Sequence, residues 1–228
     1  MTTPRERILA SIRGGLARAW LPAVAGHATA RGPASSPPAP TPDLAERFVA
    51  ALTALSGHAH RATGASGVAD AIASIARAHQ ALSFISWDDD QLGCQGLLEA
   101  LSSRGLARVT YDVGGDAGPR VREAEALAGV ALGVTGAFAA LADTGGVVLV
   151  SGPGRGRLVS LLPPVHVAVV DERRLRPSLA ALLAEEPGLL DAGSNVVIVA
   201  GPSRTADIEM TLTHGVHGPT DVHVILTT

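Results

Sequence analysis

Two almost unbroken apolar runs, VHVAVV (165–170) and NVVIVAG (195–201), limit most what this chain can fold into. A strand with one wet face alternates apolar and polar residues, so runs without alternation predict strands covered on both faces, as in a parallel sheet. DVHVILTT (221–228) closes that sheet. Helical patterns lie between strand patterns: DLAERFVAALTALSG with Asp43 near its cap, SGVADAIASIARAH with Ser66 as N-cap, GPRVREAEALAG between Pro119 and Gly129, and RPSLAALLAEE. AHRAT, ALSFISW and ARVTYD read as short strands, and VALGVTGAFAALADTGGVVLVSG as consecutive strands joined by a turn at Asp143–Gly146. The alternation predicts an α/β fold: an open, largely parallel sheet with covering helices.

Residues 4–20 read as an amphipathic helix, with Thr3 as N-cap and Ile8, Ile12, Leu16 and Trp20 four apart. The following stretch, 21–42, holds six of the 15 prolines and has linker composition. The expected division is therefore an N-terminal helix and linker, 1–42, and a body, 43–228. The uncharged stretch 126–142 is short for a membrane span and is broken by Gly129, Gly133 and Gly136, so it reads as buried strands. With no secretory-type leader, a cytoplasmic location is expected.

Composition excludes several chemistries. All 18 basic residues are Arg, and a guanidinium cannot replace the lysine amine of a Schiff-base enzyme, a PLP enzyme or a P-loop NTPase. Cys94 is the only cysteine, so no disulfide and no Cys-based zinc or iron–sulfur site can form within the chain. A net charge of −3 and an aromatic content of 3% argue against a nucleic-acid partner.

Four polar stations sit beside the strands: Thr135-Gly136, the turn Asp143-Thr144-Gly145-Gly146, SLLPPVH with Pro164 and His166, and GPSRTADIEMTLTHGVHGP (201–219). Strand ends in α/β sheets gather ligands, so together they predict one pocket. The Asp-Thr-Gly-Gly turn also reads as plain turn chemistry, and His166 as a satisfied structural histidine. In the last station Gly201 turns the chain, and Ser203 or Thr205 can cap a helical turn carrying Asp207 and Glu209. Arg204 is its anion contact, and His214, Gly215, His217 and Gly218 complete the stretch. The glycines between the two histidines spoil helical metal-ligand spacing, so no metal is expected. Asp207, Glu209 and His217 are the catalytic candidates. GPGRGR (152–157) reads as a mobile loop that offers Arg155 and Arg157 to an anion.

GVTGAFAALADTGGVVLV, SLLPPVHVAVV and GPSRTADIEMTLTHGVHGPTDVHVIL, in that order and spacing, resemble the LUD domain family and within it the short lactate-utilization members. The resemblance implies a Rossmann-like sheet akin to the superfamily of ribose-phosphate isomerases, glucosamine-phosphate deaminases and CoA transferases. It also implies a part in oxidising L-lactate to pyruvate, as one of three proteins whose partners hold the iron–sulfur clusters. On that reading the chain has no cofactor of its own and binds a small anion of the lactate, pyruvate, phosphosugar or acyl-CoA type. A homo-oligomer is compatible with it. The alternatives are a stand-alone isomerase or acyl-transferase enzyme with Asp207 or Glu209 as base or nucleophile, and a regulatory or structural interaction module.

Overall fold

A computed structural model describes residues 3–18, 43–110, 127, 129–206, 212–214 and 218–228. The chain divides into two units, Met1–Pro40 and Thr41–Thr228. In the first, α1 (Pro4–Arg18) starts with a capping box: the Thr3 N–H donates to Glu6 Oε2 at 2.7 Å and the Glu6 N–H to Thr3 Oγ1 at 3.3 Å.

The second unit is built on six parallel strands: β1 (His58–Ala62), β2 (Ser83–Ser86), β3 (Ala107–Arg108), β4 (Leu132–Gly136), β7 (Val165–Asp171) and β12 (Asp221–Thr227). Their order across the sheet is β1-β12-β7-β4-β2-β3. β12 therefore lies inside the sheet, between β1 and β7, in register from Asp221 opposite Val165 to Thr227 opposite Asp171. α2 (Leu44–Ala54) and α3 (Gly64–Ala78) cover it; α2 buries Ala45, Phe48 and Leu52, and α3 buries Val68, Ile72, Ile75 and Ala76, spaced to share one side of each helix. Asp43 caps α2, its Oδ1 accepting the Ala45 N–H at 3.2 Å. α3 starts earlier than Ser66 suggests, with Thr63 at its N-cap. Ser66 instead accepts Arg104 Nη2 on both Oγ (2.8 Å) and its carbonyl (3.0 Å), tying α3 to the end of α4 (Leu97–Ser102).

A second sheet of four strands, not foreseen from the sequence, has the order β8-β5-β6-β9: β5 (Ala139–Leu141), β6 (Gly146–Ser151), β8 (Leu175–Arg176) and β9 (Asn195–Val199). Val147 and Leu149 of β6 join the main core while Val148 and Val150 join a smaller cluster with Leu182 and Leu189. Both faces of β6 are covered, which is why GVVLVS shows no alternation. NVVIV departs from its expected full burial: among the described strands β9 pairs only with β6, at the edge of this second sheet, and Ile198 is 40% exposed. An apolar run reports a preference for strand, not a place within a sheet. The stretch 126–142 supplies β4 and β5, and no described helix is long and apolar enough to cross a membrane. The expected helix at 118–129 lies outside the described residues except at Leu127 and Gly129.

Candidate functional site

The chain leaves β2 toward β3 but leaves β4 toward β7, so β2 and β4 flank a reversal of strand order. Such a point opens a crevice beyond the carboxyl ends of the two strands, the usual ligand position in open α/β sheets. Here the crevice has a volume of about 190 Å³ and is walled by Trp87, Gln91, Phe138, Arg155 and Arg174, among others. That is below the ~300–1,000 Å³ of pockets for drug-sized molecules and suits a small metabolite. Gly136 lets β4 end tight against the turn Asp89–Gln91, where a Cβ would land on the Gln91 carbonyl oxygen.

The loop GPGRGR is held rather than free. Gly152 and Arg155 exchange backbone hydrogen bonds at 2.9 and 3.3 Å, the Gly154 carbonyl accepts the Asp88 N–H at 3.0 Å, and the Gly156 carbonyl accepts Trp87 Nε1 at 3.0 Å. This fixes Arg155 at the crevice wall. Its Nη1 reaches Gln91 Oε1 at 3.4 Å, while its Nε is buried without a hydrogen-bond partner. Arg174 donates from Nη1 to the Phe138 carbonyl at 3.2 Å and lies 5.6 Å from the Phe138 ring centroid, a cation–π contact. Arg61, Arg104, Arg108, Arg173 and Arg176 are paired with carboxylates, whereas among the described residues Arg155 and Arg174 are not. Two permanent cations thus line one small space together with a single carboxylate, Asp90, which accepts a hydrogen bond from Gln91 Nε2 at 2.7 Å; the excess of positive charge suits an anion with planar oxygens. Arg157 lines an adjoining cavity of about 420 Å³ on the other side of Arg155. Cys94 is half-buried, and burial, and then the nearby Asp89 charge, push its thiol pKa up, which disfavours the thiolate.

The residues singled out in the sequence fall in several places. Thr135 and His166 meet in the core, Oγ1 to Nε2 at 2.9 Å. Burial, and then His223, push His166 down to about 4, which keeps the imidazole neutral; its Nδ1 has no partner. Ala142 to Gly145 form the turn between β5 and β6, and Gly146 opens β6, with Asp143 and Thr144 exposed. Gly145 has a φ of 65° and packs on the backbone of α2 at Leu52, and its N–H donates to the Leu141 carbonyl at 2.9 Å. Pro164 lies at the opposite sheet edge from Gly136, its carbonyl accepting the Thr220 and Asp221 N–H groups at 2.9 and 3.1 Å. Gly201, with a φ of 99°, abuts Leu55, and the Ser203 N–H donates to the Pro219 carbonyl at 2.8 Å with Gly218 beside it.

Arg204 and Thr205 are extended, not helical: β10 (Arg204–Ala206) pairs antiparallel with β11 (Leu212–His214), setting Arg204 opposite His214 and Thr205 opposite Thr213. Thr205 therefore caps no helix. Asp207, Glu209, Gly215 and His217 lie outside the described residues. Trp87, Gln91, Phe138 and Arg174 escaped the sequence reading, since nothing in the local pattern relates residues 87, 138 and 174 before the switch point brings them together.

Residues 45–227 match the LUD domain model. The chain is 33% identical over 153 residues to lactate utilization protein C of Halalkalibacterium halodurans, covering 65% of this chain and 64% of that protein. It is 32% identical over 149 residues to lactate utilization protein C of a Geobacillus species, covering 63% and 61%. The matched region thus spans less than two thirds of these relatives' lengths. A solved DUF162 family protein from Deinococcus radiodurans shares the fold, with a TM-score of 0.55 at 16% identity over 81% of this chain and 96% of that one.

Proposed function

Since the chain belongs to the LUD domain family, we propose that it works in lactate utilization, as a component without a redox centre of its own that binds a small carboxylate between β2 and β4. Relatives named lactate utilization protein C support the process. The observation that carries the ligand class is Arg155, a guanidinium with a buried, unsatisfied Nε at the wall of a crevice sized for a small metabolite. L-Lactate and pyruvate each present one carboxylate with an oxygen on the next carbon, which Arg155 and Arg174 can share. A single cysteine cannot hold an iron–sulfur cluster within the chain, which supports iron–sulfur partner proteins as the carriers of electrons.

Thermal shift and calorimetry with L-lactate, pyruvate, a phosphosugar and an acyl-CoA test the ligand. One of the two acids is expected to stabilise the protein by mass action, and Arg155→Gln to weaken that binding about tenfold to a hundredfold, the value of one or two charged hydrogen bonds. Stabilisation by the phosphosugar or acyl-CoA alone would replace this reading with the isomerase- or transferase-like one. Deletion of the gene is expected to abolish growth on lactate, and normal growth would count against the process itself.

A further inference from the structure

At the opposite edge, where the parallel strands begin, four histidines surround one carboxylate. His58 and His60 lie two apart on β1, as do Asp221 and His223 on β12, so each pair shares a face of its strand. The parallel register sets His58 beside His223. His79, the C-cap of α3, joins them from the helix end. Asp221 Oδ1 lies 3.2 Å from His58 Nε2 and 3.4 Å from His223 Nε2, and its Oδ2 lies 3.1 Å from His79 Nε2. His60 Nε2 is 3.0 Å from His223 Nδ1. The His223 side chain is only 9% exposed, and its buried Nε2 has no hydrogen-bond partner.

We propose that His79, Asp221 and His223, with His58 as the fourth group, bind a divalent first-row transition cation of the zinc class. One atom from each of the first three lies within 4.8 Å of the others. Ligand atoms ~2.0–2.2 Å from a tetrahedral ion stand about 3.4 Å apart, so small side-chain rotations close the set of three, and His58, 3.2 Å from Asp221 Oδ1, stands next to it. His79 and His58, 31% and 55% exposed, are free to make them. Imidazole nitrogens with a single carboxylate suit zinc or cobalt rather than magnesium or calcium, which prefer all-oxygen shells. His60 completes the logic from behind. If its Nε2 accepts the His223 Nδ1 proton, the tautomer is set with the Nε2 lone pair toward the cation. The bound ion would tie β1, β12 and the end of α3 together. This site lies apart from the β2–β4 crevice and does not rest on the lactate reading.

Tag-free, full-length protein stripped with EDTA and titrated with Co²⁺ is expected to take up one equivalent with the visible absorption of a four-coordinate ion, displaced by Zn²⁺. Zn²⁺ should raise the melting temperature, and Mg²⁺ should not. His79→Gln and Asp221→Asn, both at partly exposed positions, should each weaken Co²⁺ at least tenfold, and His60→Gln about tenfold. A double variant, His214→Gln with His217→Gln, should keep the full equivalent. The proposal is overturned by folded wild-type protein that shows no saturable uptake, by unchanged affinity in both His79→Gln and Asp221→Asn, or by loss of uptake in the double variant.

Discussion

His166 is held neutral in the core with one hydrogen bond, to Thr135, and that makes stability depend on pH. An unfolded histidine titrates near 6.5, whereas burial, and then His223, hold this one down at about 4. Above about 6.5 both states are neutral and the full stability is present. As pH falls from 6.5 toward 4 the unfolded chain takes up a proton that the folded one refuses, so stability declines; below about 4 the decline from this group ends. The interval corresponds to roughly 3 kcal/mol. Urea unfolding in EDTA at pH 7 and pH 4.5 should show this loss in the wild type and a smaller one in His166→Gln, which keeps a polar group for Thr135. Equal losses in both would refute it. At this scale the sequence was informative where chemistry is local: a histidine after Pro-Pro in an apolar run already reads as structural. His-x-His at 58–60 and Asp-x-His at 221–223 went unread, because each pattern acquires meaning only once β1 and β12 lie side by side.

The turn between β5 and β6 is the element-scale counterpart. Its Asp-Thr-Gly-Gly composition spelled a tight turn, and the structure adds that Gly145 is left-handed and pressed on α2, so backbone conformation and packing both demand glycine there. Gly145→Ala should cost about 2–3 kcal/mol in chemical denaturation, from the left-handed backbone and the overpacking together. Thr144→Ala, exposed in the same turn, should stay within about 0.5 kcal/mol. Equal stabilities of the two variants would show that α2 does not constrain the turn. Strand and helix periodicity announced most of these elements, but not their partners. NVVIV reads like VHVAVV, yet one became an edge strand of the second sheet and the other a central strand of the first, a choice made by long-range packing. Ser203-Arg204-Thr205 read as a helix start, but 204–206 found a strand partner at 212–214.

For the whole molecule, among the described residues the buried core begins at Ala45, and every clustered core residue follows it. Thr41–Thr228 expressed alone should therefore melt cooperatively within roughly 2–4 °C of the full chain, a difference of less than about 1 kcal/mol for a body of this size. A broad, non-cooperative melt would mean that residues 1–40 belong to the fold. The sheet order also carries a consequence in time. Among the described strands β1 has β12 as its sole partner, and His60 and His223, whose side chains meet diagonally across that pair, are 163 positions apart. At ~5–20 residues per second, about 8–33 s of ribosomal synthesis separate the two strands. Throughout that interval the nascent chain carries an unmated strand edge, so its greatest exposure to chaperones and to aggregation comes before the last sheet strand has emerged.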